Sequence, residues 1–290
     1  MVKKQTKTEN IHIFTDADIV RMVDRVLASR GELYRDFAWR NTSDPYQVLV
    51  SEVMLQQTQT QRVVRYFERW IEKYPTFDAL ASAAQVDVLE SWQGLGYNRR
   101  CLALYRCAQM VSEKYHGVCP SDEALLIELP GVGPATAAGV RAFAFNEPSA
   151  YLETNVRAVV LHELWPEVER VSDKEVLAVV QAAAREVEHR GVDARVWNYA
   201  LLDYGAWLKK TLPNPSRRSK HHTKQSTFEG SRRQKRAALL REVLNNPGLT
   251  SDIYAKHCKY EVDVADDVLS SLVNEGFVCR ENDGTYQIVH

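Results

Sequence analysis

The 290-residue chain lacks any apolar run near the ~18 residues that a membrane-spanning helix requires. Residues 1–10 are polar and carry lysine, without the apolar stretch of a secretory signal. We therefore expect a protein that stays in the cytoplasm. Its 45% hydrophobic and 26% charged residues are typical of a folded globular chain rather than a disordered one.

Cysteine is scarce and scattered. The chain has no C-x-x-C pair and no short Cys/His spacing of the kind that zinc or an iron–sulfur cluster requires. We interpret the cysteines as separate reduced thiols; they are Cys101, Cys107, Cys119, Cys258 and Cys279. The adjacent pair His221 and His222 is more typical of a solvated loop than of a metal site. The sequence therefore predicts neither a metal nor another cofactor.

The chain also lacks an excess of charge of one sign. Its formal net charge is -1, so net charge gives no argument for a nucleic-acid partner. The local distribution is uneven, because residues 209–236 hold ten lysines and arginines against a single acid, Glu229. Four of these basic residues, which we call the arm residues, are Arg217, Arg218, Lys220 and Lys224. The segment is either a solvated linker or an arm that contacts nucleic-acid phosphates, and we favour the second interpretation.

Alternating strand patterns are absent before residue 276, whereas helical spacing recurs through the first 210 residues. Thr15 and Asp18 predict a capping box, and Asp44 followed by Pro45 predicts the start of a second helix. Further helices are predicted between proline and glycine boundaries over 60–73, 77–82, 85–92, 99–115, 122–128, 135–145, 154–164, 173–188 and 194–209. The fold class is mainly α.

The pattern changes near the C-terminus. Helices over 234–245, 250–257 and 263–275 precede two short strands over 277–281 and 285–289. An Asn-Asp-Gly turn joins the strands, so the segment predicts a winged-helix-like α+β module. Its third helix begins with several carboxylates, which favours packing or a protein partner over reading of bases. The predicted domains are a helical domain at 1–212, a polybasic linker or arm at 213–232 and the module at 233–290.

Two glycines flanked by prolines interrupt the helices at residues 130–134 and predict a hairpin between two helices. The backbone amides of Gly131, Gly133 and Ala135 lie there at the start of the next helix. They form either an ordinary turn or a site for a phosphate. Another glycine-bracketed loop holds Tyr97, which either inserts between bases or packs on a helix end.

Two acids stand out as candidates for chemistry. Glu52 is the one charge in an otherwise uncharged helical stretch at 46–57. Its carboxylate must face a cleft, find buried partners or have its pKa raised by desolvation. Glu153 follows soon after the helix that begins at the hairpin. A phosphate site beside a carboxylate suits an enzyme that holds a nucleic-acid backbone and acts on the adjacent sugar or base.

These residues resemble the helix-hairpin-helix DNA glycosylases, and among them the adenine DNA glycosylases more than the endonuclease III branch. The resemblance covers roughly residues 30–210 and rests on residues 39–40, 44–46, 51–59, 94–97, 129–133 and 155–157. It implies a two-lobed, all-helical fold and a monomer that binds duplex DNA containing a mismatched or damaged base. In a bacterium such a protein would be associated with the nucleoid.

The resemblance further implies a monofunctional glycosylase of base excision repair, which hydrolyses the N-glycosidic bond of a mispaired base, adenine in the first place. The alternatives are a uracil or thymine mismatch glycosylase and a DNA-binding protein without chemistry. By resemblance, Glu52 would protonate the departing base, and Glu153 would be the second carboxylate. Gln57 would be a wedge in the duplex, Thr58 would contact the opposing base, and Tyr97 would be an intercalating ring. Asn155 would be a further DNA contact, and Arg40 and Asp203 would be base-pocket residues.

The chain departs from the family pattern in four places. Glu153 stands where the family has aspartate, and the extra methylene moves the charge by about 1 Å. Ala135 stands where endonuclease III relatives have a Schiff-base lysine, which predicts no efficient strand cleavage. Residues 214–236 contain no cysteine where many relatives hold an iron–sulfur cluster, and the short C-terminal module replaces the domain that inspects 8-oxoguanine in many adenine glycosylases.

Overall fold

A computed structural model describes residues 13–222 and 227–289. Within these residues the chain is mainly helical with one two-stranded sheet, so the predicted fold class is confirmed. The helices are α1 (Asp16–Leu33), α2 (Pro45–Leu55), α3 (Thr60–Lys73), α4 (Phe77–Ala81), α5 (Gln85–Trp92), α6 (Asn98–Tyr115), α7 (Glu123–Glu128), α8 (Pro134–Ala144), α9 (Thr154–Glu163), α10 (Asp173–His189), α11 (Ala194–Thr211), α12 (Arg232–Asn245), α13 (Ser251–Cys258) and α14 (Val262–Asn274). Strands β1 (Val278–Arg280) and β2 (Tyr286–Ile288) form the sheet, and two 3-10 turns cover Ala38–Arg40 and Pro215–Arg218.

Local capping signals set several helix starts. The Thr15 side chain accepts a hydrogen bond from the Asp18 amide, and the Asp18 carboxylate accepts one from the Thr15 amide, which confirms the predicted capping box. Asp44 caps α2 by accepting from the Tyr46 amide, with Pro45 in the first helical position. These side chains satisfy amides that have no partner inside the helix, so the sequence alone locates the boundaries well.

The chain forms two compact units, each built from two separate stretches. Unit 1 combines Met1–Asp36 with Pro134–Thr223, and unit 2 combines Phe37–Gly133 with Lys224–His290. The C-terminal helices and hairpin therefore belong to the same unit as the helices of residues 37–133. The domain boundaries inferred from the sequence stay a prediction.

In unit 1, α11 packs against α9, α1 and α8. The packed faces are closed to solvent and consist of residues such as Val23, Val26, Val159, Leu161 and Leu208. A glycine, Gly205, lies where α11 meets the first turn of α9: an added Cβ would stand 2.2 Å from the carbonyl oxygen of Asn155. The small residue thus permits the close approach of the two helices.

In unit 2, aromatic residues form the core around α2. The Trp70 ring meets Tyr74 and Trp92 edge-on, and the Trp70 indole NH donates to the Tyr46 hydroxyl at 3.2 Å. The Tyr46 hydroxyl in turn donates to the Tyr74 carbonyl oxygen at 2.6 Å. Because Tyr46 belongs to the first turn of α2, this network holds the helix that carries Glu52.

The C-terminal part of unit 2 contains three helices followed by an antiparallel hairpin, the order that the sequence predicts. Strand β1 pairs with β2 in the register Val278 opposite Ile288, and Phe277 is fully buried at the start of the hairpin. The assignment to the winged-helix class stays a prediction. The cysteines are free thiols, as the sequence predicts. Over the described part of the chain, no helix combines the length and the apolarity needed to cross a membrane.

Candidate active site

Glu52 lies in the middle of α2 and is half-buried, whereas its neighbours Ser51, Val53 and Met54 are buried. The Ser51 hydroxyl donates back to the Val48 carbonyl oxygen, so this buried polar group has its hydrogen-bond partner within the helix. The helix therefore anchors Glu52 through packed flanking residues while the acid keeps part of its surface open. This placement meets the first condition for a proton donor to a bound base.

Arg100 organises the residues that follow Glu52, and sequence reasoning did not single it out. Its guanidinium Nη1 donates to the carbonyl oxygens of Val53 at 2.7 Å, Met54 at 3.0 Å and Gln56 at 2.6 Å, so it caps the C-terminal end of α2. Its Nη2 donates to the Thr58 hydroxyl at 2.9 Å and to the Gly96 carbonyl at 3.1 Å. Desolvation lowers the pKa of Arg100 to about 10. One side chain thus links the end of α2 with the loop that carries Tyr97.

Replacing Arg100 by lysine is expected to lower the free energy of unfolding by about 2 kcal/mol or more, because an ammonium lacks the fork that reaches both segments at once. Equilibrium denaturation in urea measures the loss. Arg65→Lys on the exposed face of α3 is the matched control. Equal losses in the two variants would show that the linkage through Arg100 does not stabilise the unit.

Two of the residues that the resemblance assigns to the duplex, Gln57 and Tyr97, have backbones in the left-handed region. The φ angle is 55° at Gln57 and 53° at Tyr97. Such values are uncommon outside glycine and are often found at functional sites. Gln57 is exposed, Thr58 is half-buried against Arg100, and Tyr97 is half-buried before the first residue of α6. The structure thus brings Gln57, Thr58 and Tyr97 into one unit, next to a shared arginine.

Arg40 ends the 3-10 turn Ala38–Arg40 and is 6% exposed. Its guanidinium carbon lies 5.5 Å from the centre of the Phe37 ring, and that ring stacks on Trp39. Aromatic packing therefore fixes the position of Arg40 within unit 2. Its assignment to a base pocket stays a prediction.

The predicted hairpin forms between α7 and α8. The Val132 amide donates to the Leu129 carbonyl at 3.0 Å, and Gly131 has φ 80°. A Cβ at Gly131 would lie 2.7 Å from the Cβ of Ala103, so both the backbone angle and the packing on α6 require glycine there. At Gly133 an added Cβ would meet nothing within 4 Å. Ala135 is exposed in the first turn of α8.

In unit 1, Glu153 is the N-cap residue of α9. Its Oε1 accepts hydrogen bonds from the amides of Asn155 at 2.6 Å and Val156 at 3.1 Å. No described residue donates a hydrogen bond to Oε2. The longer acid therefore keeps the capping role with one oxygen, and its second oxygen is not used by the helix.

Burial and the polar surroundings of Glu153 shift its pKa in opposite directions. Desolvation raises the pKa of its carboxyl above the ordinary value, while the two helix amides and the nearby charges of Lys209 and Arg157 oppose the rise. The Lys209 ammonium donates to Asn155 Oδ1 at 3.0 Å, and Arg157 forms a two-point pair with Asp173 at 2.8 and 2.9 Å. Asn155 is thus held by its own backbone and side chain beside the acid.

Gly205→Ala is expected to lower the free energy of unfolding by about 1–3 kcal/mol or more, because the new methyl group would overlap the Asn155 carbonyl and displace the first turn of α9. The control is Gly31→Ala in α1, where an added Cβ meets nothing within 4 Å. There alanine is expected to stabilise the helix by up to about 1 kcal/mol. Thermal melts measure the melting temperatures of both variants. Equal changes in melting temperature would mean that the contact at Gly205 is not tight.

Asp203 lies in α11 with a side chain that is 2% exposed, and it is paired within unit 1. The Arg35 Nε donates to Asp203 Oδ1 at 2.6 Å, and the Arg35 amide donates to Oδ2 at 3.3 Å. The same guanidinium donates to the Leu202 carbonyl at 3.2 Å. A base that contacts Asp203 would have to share the carboxylate with Arg35.

Among the arm residues, Arg218 has an internal role. Its guanidinium donates to the carbonyl oxygens of Leu161 at 2.8 Å and Trp165 at 2.6 Å, and also to that of Pro166, beyond the C-terminal end of α9. The backbone of the arm is also paired with Val171: the Val171 amide donates to the Arg218 carbonyl oxygen, and the Lys220 amide donates to the Val171 carbonyl oxygen. Arg217 and Lys220 are exposed, and Lys224 lies outside the described residues.

The segment after α11 does not fit an iron–sulfur cluster. Residues 211–222 contain no cysteine, and thiolates are the donors that such a cluster requires. The contacts of Arg218 and of the arm backbone hold this segment against the end of α9 instead. Among the described residues, no group of three or more histidine, cysteine or acidic side chains is arranged to hold a metal ion.

Comparison with known proteins extends the resemblance. Residues 50–186 match the model of the HhH-GPD superfamily base excision DNA repair protein. An adenine DNA glycosylase of Mycobacterium tuberculosis is 33% identical over 287 residues, which cover 91% of this chain and 92% of the relative. An adenine DNA glycosylase of Mycolicibacterium smegmatis is 43% identical over 127 residues, 43% of each chain.

A solved structure of a thermostable thymine-DNA glycosylase is 26% identical and superposes with a TM-score of 0.58 over 66% of this chain and 87% of that one. The similarity of the fold to this structure and the near full-length sequence match to the mycobacterial protein indicate the same family. The chain belongs to the adenine DNA glycosylases of the HhH-GPD superfamily.

Proposed function

We propose that the protein hydrolyses the N-glycosidic bond of adenine mispaired in duplex DNA and leaves an abasic site, the first step of base excision repair. Glycosylase activity on adenine follows from the family. The observation that carries the chemistry in this chain is Glu153. It retains the helix-capping position with Oε1 although it is longer than the aspartate of the family pattern, and this leaves a second carboxylate oxygen for the reaction.

The two acids suit the two demands of this reaction. Bond cleavage develops positive charge on the sugar and negative charge on the departing base. Glu52 would protonate adenine, because a rigid helix holds its carboxyl group with part of its surface open to a bound base. Glu153 would be the carboxylate beside the oxocarbenium-like sugar; burial raises its pKa, and the helix amides and the charge of Lys209 oppose that rise.

The contacts to DNA would come from both units. In unit 2 the wedge residue Gln57, the neighbouring Thr58 and the ring of Tyr97 would contact the distorted duplex after the base leaves the stack. The amides of Gly131, Gly133 and Ala135 and the N-terminal end of α8 would bind a phosphate. Asn155 would add a further DNA contact. Arg40 in unit 2 and Asp203 in unit 1 are each proposed to contact the extruded base.

A thymine mismatch glycosylase is the second candidate, since a solved structure similar to this chain is a thymine-DNA glycosylase. Duplexes carrying A, U or T opposite G, C and 8-oxoguanine separate the candidates after alkaline cleavage at abasic sites. We expect strand breaks at adenine only. Breaks at thymine or uracil would support the second candidate, and tight binding without any product would support a DNA-binding protein that lacks chemistry.

We further propose that the enzyme has no lyase activity, because the position of the Schiff-base lysine of relatives is Ala135. Borohydride reduction during turnover is expected to trap no covalent protein–DNA complex. A strong trapped product that depends on a lysine of this chain would contradict the proposal.

The arm gives a prediction that separates its residues. Arg217→Ala and Lys220→Ala are each expected to weaken DNA binding and to reduce the slope of log affinity against log salt by about 1, since each would release a phosphate contact. Arg218→Ala is expected to leave the salt slope unchanged and to lower the melting temperature, because its guanidinium binds carbonyl oxygens of unit 1. Anisotropy titrations at several salt concentrations test this. An unchanged slope for Arg217 and Lys220 would make the arm a solvated linker.

A further inference from the structure

The C-terminal helices of unit 2 are fixed to its other helices by an ion cluster in which Arg236 and Glu275 are half-buried and Arg99 is exposed. The Glu275 carboxylate accepts two hydrogen bonds from Arg99, at 2.6 and 2.8 Å, and two from Arg236, both at 2.8 Å. Arg99 belongs to α6, and Arg236 belongs to α12. The hydrogen bonds from Arg99 contribute most to lowering the pKa of Glu275 to about 2. The cluster therefore joins α6, α12 and the end of α14 at neutral pH.

A second set of contacts uses the turn after α14. The Gln85 side-chain amide donates to the carbonyl oxygens of Gly276 at 2.9 Å and Phe277 at 3.4 Å. The Arg106 guanidinium donates to the Glu275 carbonyl oxygen at 3.1 Å, and a Cβ at Gly276 would stand 2.6 Å from its Nη2. The C-terminal helices are therefore docked on α5 and α6, and their position is defined.

The docking brings the first turn of α12 to Tyr97. The Arg233 guanidinium Nη1 donates to the Tyr97 hydroxyl at 2.8 Å, and its central carbon lies 5.8 Å from the ring centre. The Arg100 guanidinium lies 5.2 Å from the same ring centre. A tyrosine with a left-handed backbone is thus held by two arginines, one from α6 and one from the C-terminal helices.

We propose that Arg233 is a positioning residue that holds the Tyr97 ring in the orientation used on duplex DNA with an extruded base. The inference rests on the proposed function, in which Tyr97 enters the duplex. It assigns a role to the C-terminal helices that requires neither reading of bases nor a protein partner. By holding the ring before DNA arrives, Arg233 reduces the ordering that binding would otherwise require.

The test uses the full chain and a duplex with a tetrahydrofuran abasic analogue opposite 8-oxoguanine, so that no chemistry is needed for the readout. Arg233→Ala is expected to weaken binding about 5- to 10-fold, and Tyr97→Phe, which removes the hydroxyl, is expected to do the same. The double variant is expected to bind no more weakly than either single variant, because both remove one interaction. Arg241→Ala is the matched control: it removes another exposed charge of α12, outside the basic segment 209–236, and we expect it to bind within about twofold of the wild type.

Thermal melts and the fluorescence of 2-aminopurine beside the abasic analogue accompany each titration. We expect unchanged melting temperatures and a reduced fluorescence change for Arg233→Ala. Three outcomes overturn the inference: tighter or unchanged binding, additive losses in the double variant, or a salt slope that falls by about 1, which would indicate a direct phosphate contact. Failure of the proposed function is distinct, since the wild type would then not prefer the abasic duplex over a matched one.

Discussion

Replacing Glu52 by glutamine is expected to slow adenine release in a single turnover by about 10³-fold, while mismatched DNA still binds. The amide keeps the size of the side chain but has no proton to donate at neutral pH. Because α2 is held by its aromatic core and by Arg100, the substitution at a half-buried position is not expected to disturb the helix. The loss would therefore report on chemistry and not on folding.

Rapid-quench assays on A opposite 8-oxoguanine measure the rate, and anisotropy measures binding to the same duplex. Glu68→Gln on the exposed face of α3 provides the matched control, with the same chemical change in the same unit. Its rate is expected to equal that of the wild type. If Glu52→Gln released adenine at more than a tenth of the wild-type rate, proton transfer from Glu52 would not limit the reaction.

The sequence predicts the helices well because their signals are local. Capping at Thr15 and Asp44 and the glycine at 131 each act within a few residues, and the boundaries found in the structure follow them. The half-buried position of Glu52 also agrees with its pattern, since one acid among apolar neighbours on a helix must lie near the edge of the packed face.

Other features depend on contacts between distant residues and carry no local signal. Nothing in the sequence distinguishes Arg100 from the other arginines. Only the folded chain shows that this residue of α6 donates hydrogen bonds to the carbonyl oxygens at the C-terminal end of α2. Arg218 resembles the other arm residues in sequence, yet it binds three carbonyl oxygens, whereas Arg217 is exposed. A run of like charges does not distinguish a cation that contacts a ligand from one that contacts the backbone. The same limit applies to Arg233, whose contact with Tyr97 spans 136 positions in the sequence.

Glu153→Gln is expected to reduce the rate of adenine release by about 10²- to 10³-fold, because the amide cannot stabilise positive charge on the sugar. The same substitution is not expected to lower the melting temperature at pH 7. Burial raises the pKa of Glu153 in the folded protein, so the stability that the protonated acid contributes at low pH is lost as the pH rises through that pKa. Glutamine is neutral at every pH, and its Oε1 can still accept from the amides of Asn155 and Val156.

Thermal melts from pH 4 to 8 and pH–rate profiles test the two halves of this prediction together. The wild-type rate is expected to fall on the acid side at a pH above the ordinary glutamate pKa of 4.5, because protonation removes the charge that the sugar needs. Glu153→Asp restores the residue of the family pattern and can still cap α9, so it is expected to retain the rate within about tenfold. A large drop in melting temperature for Glu153→Gln would mean that the acid serves the helix. An unchanged rate would mean that the oxygen left unused by the helix takes no part in the reaction, and that this chain cleaves the bond with Glu52 as its one carboxyl group.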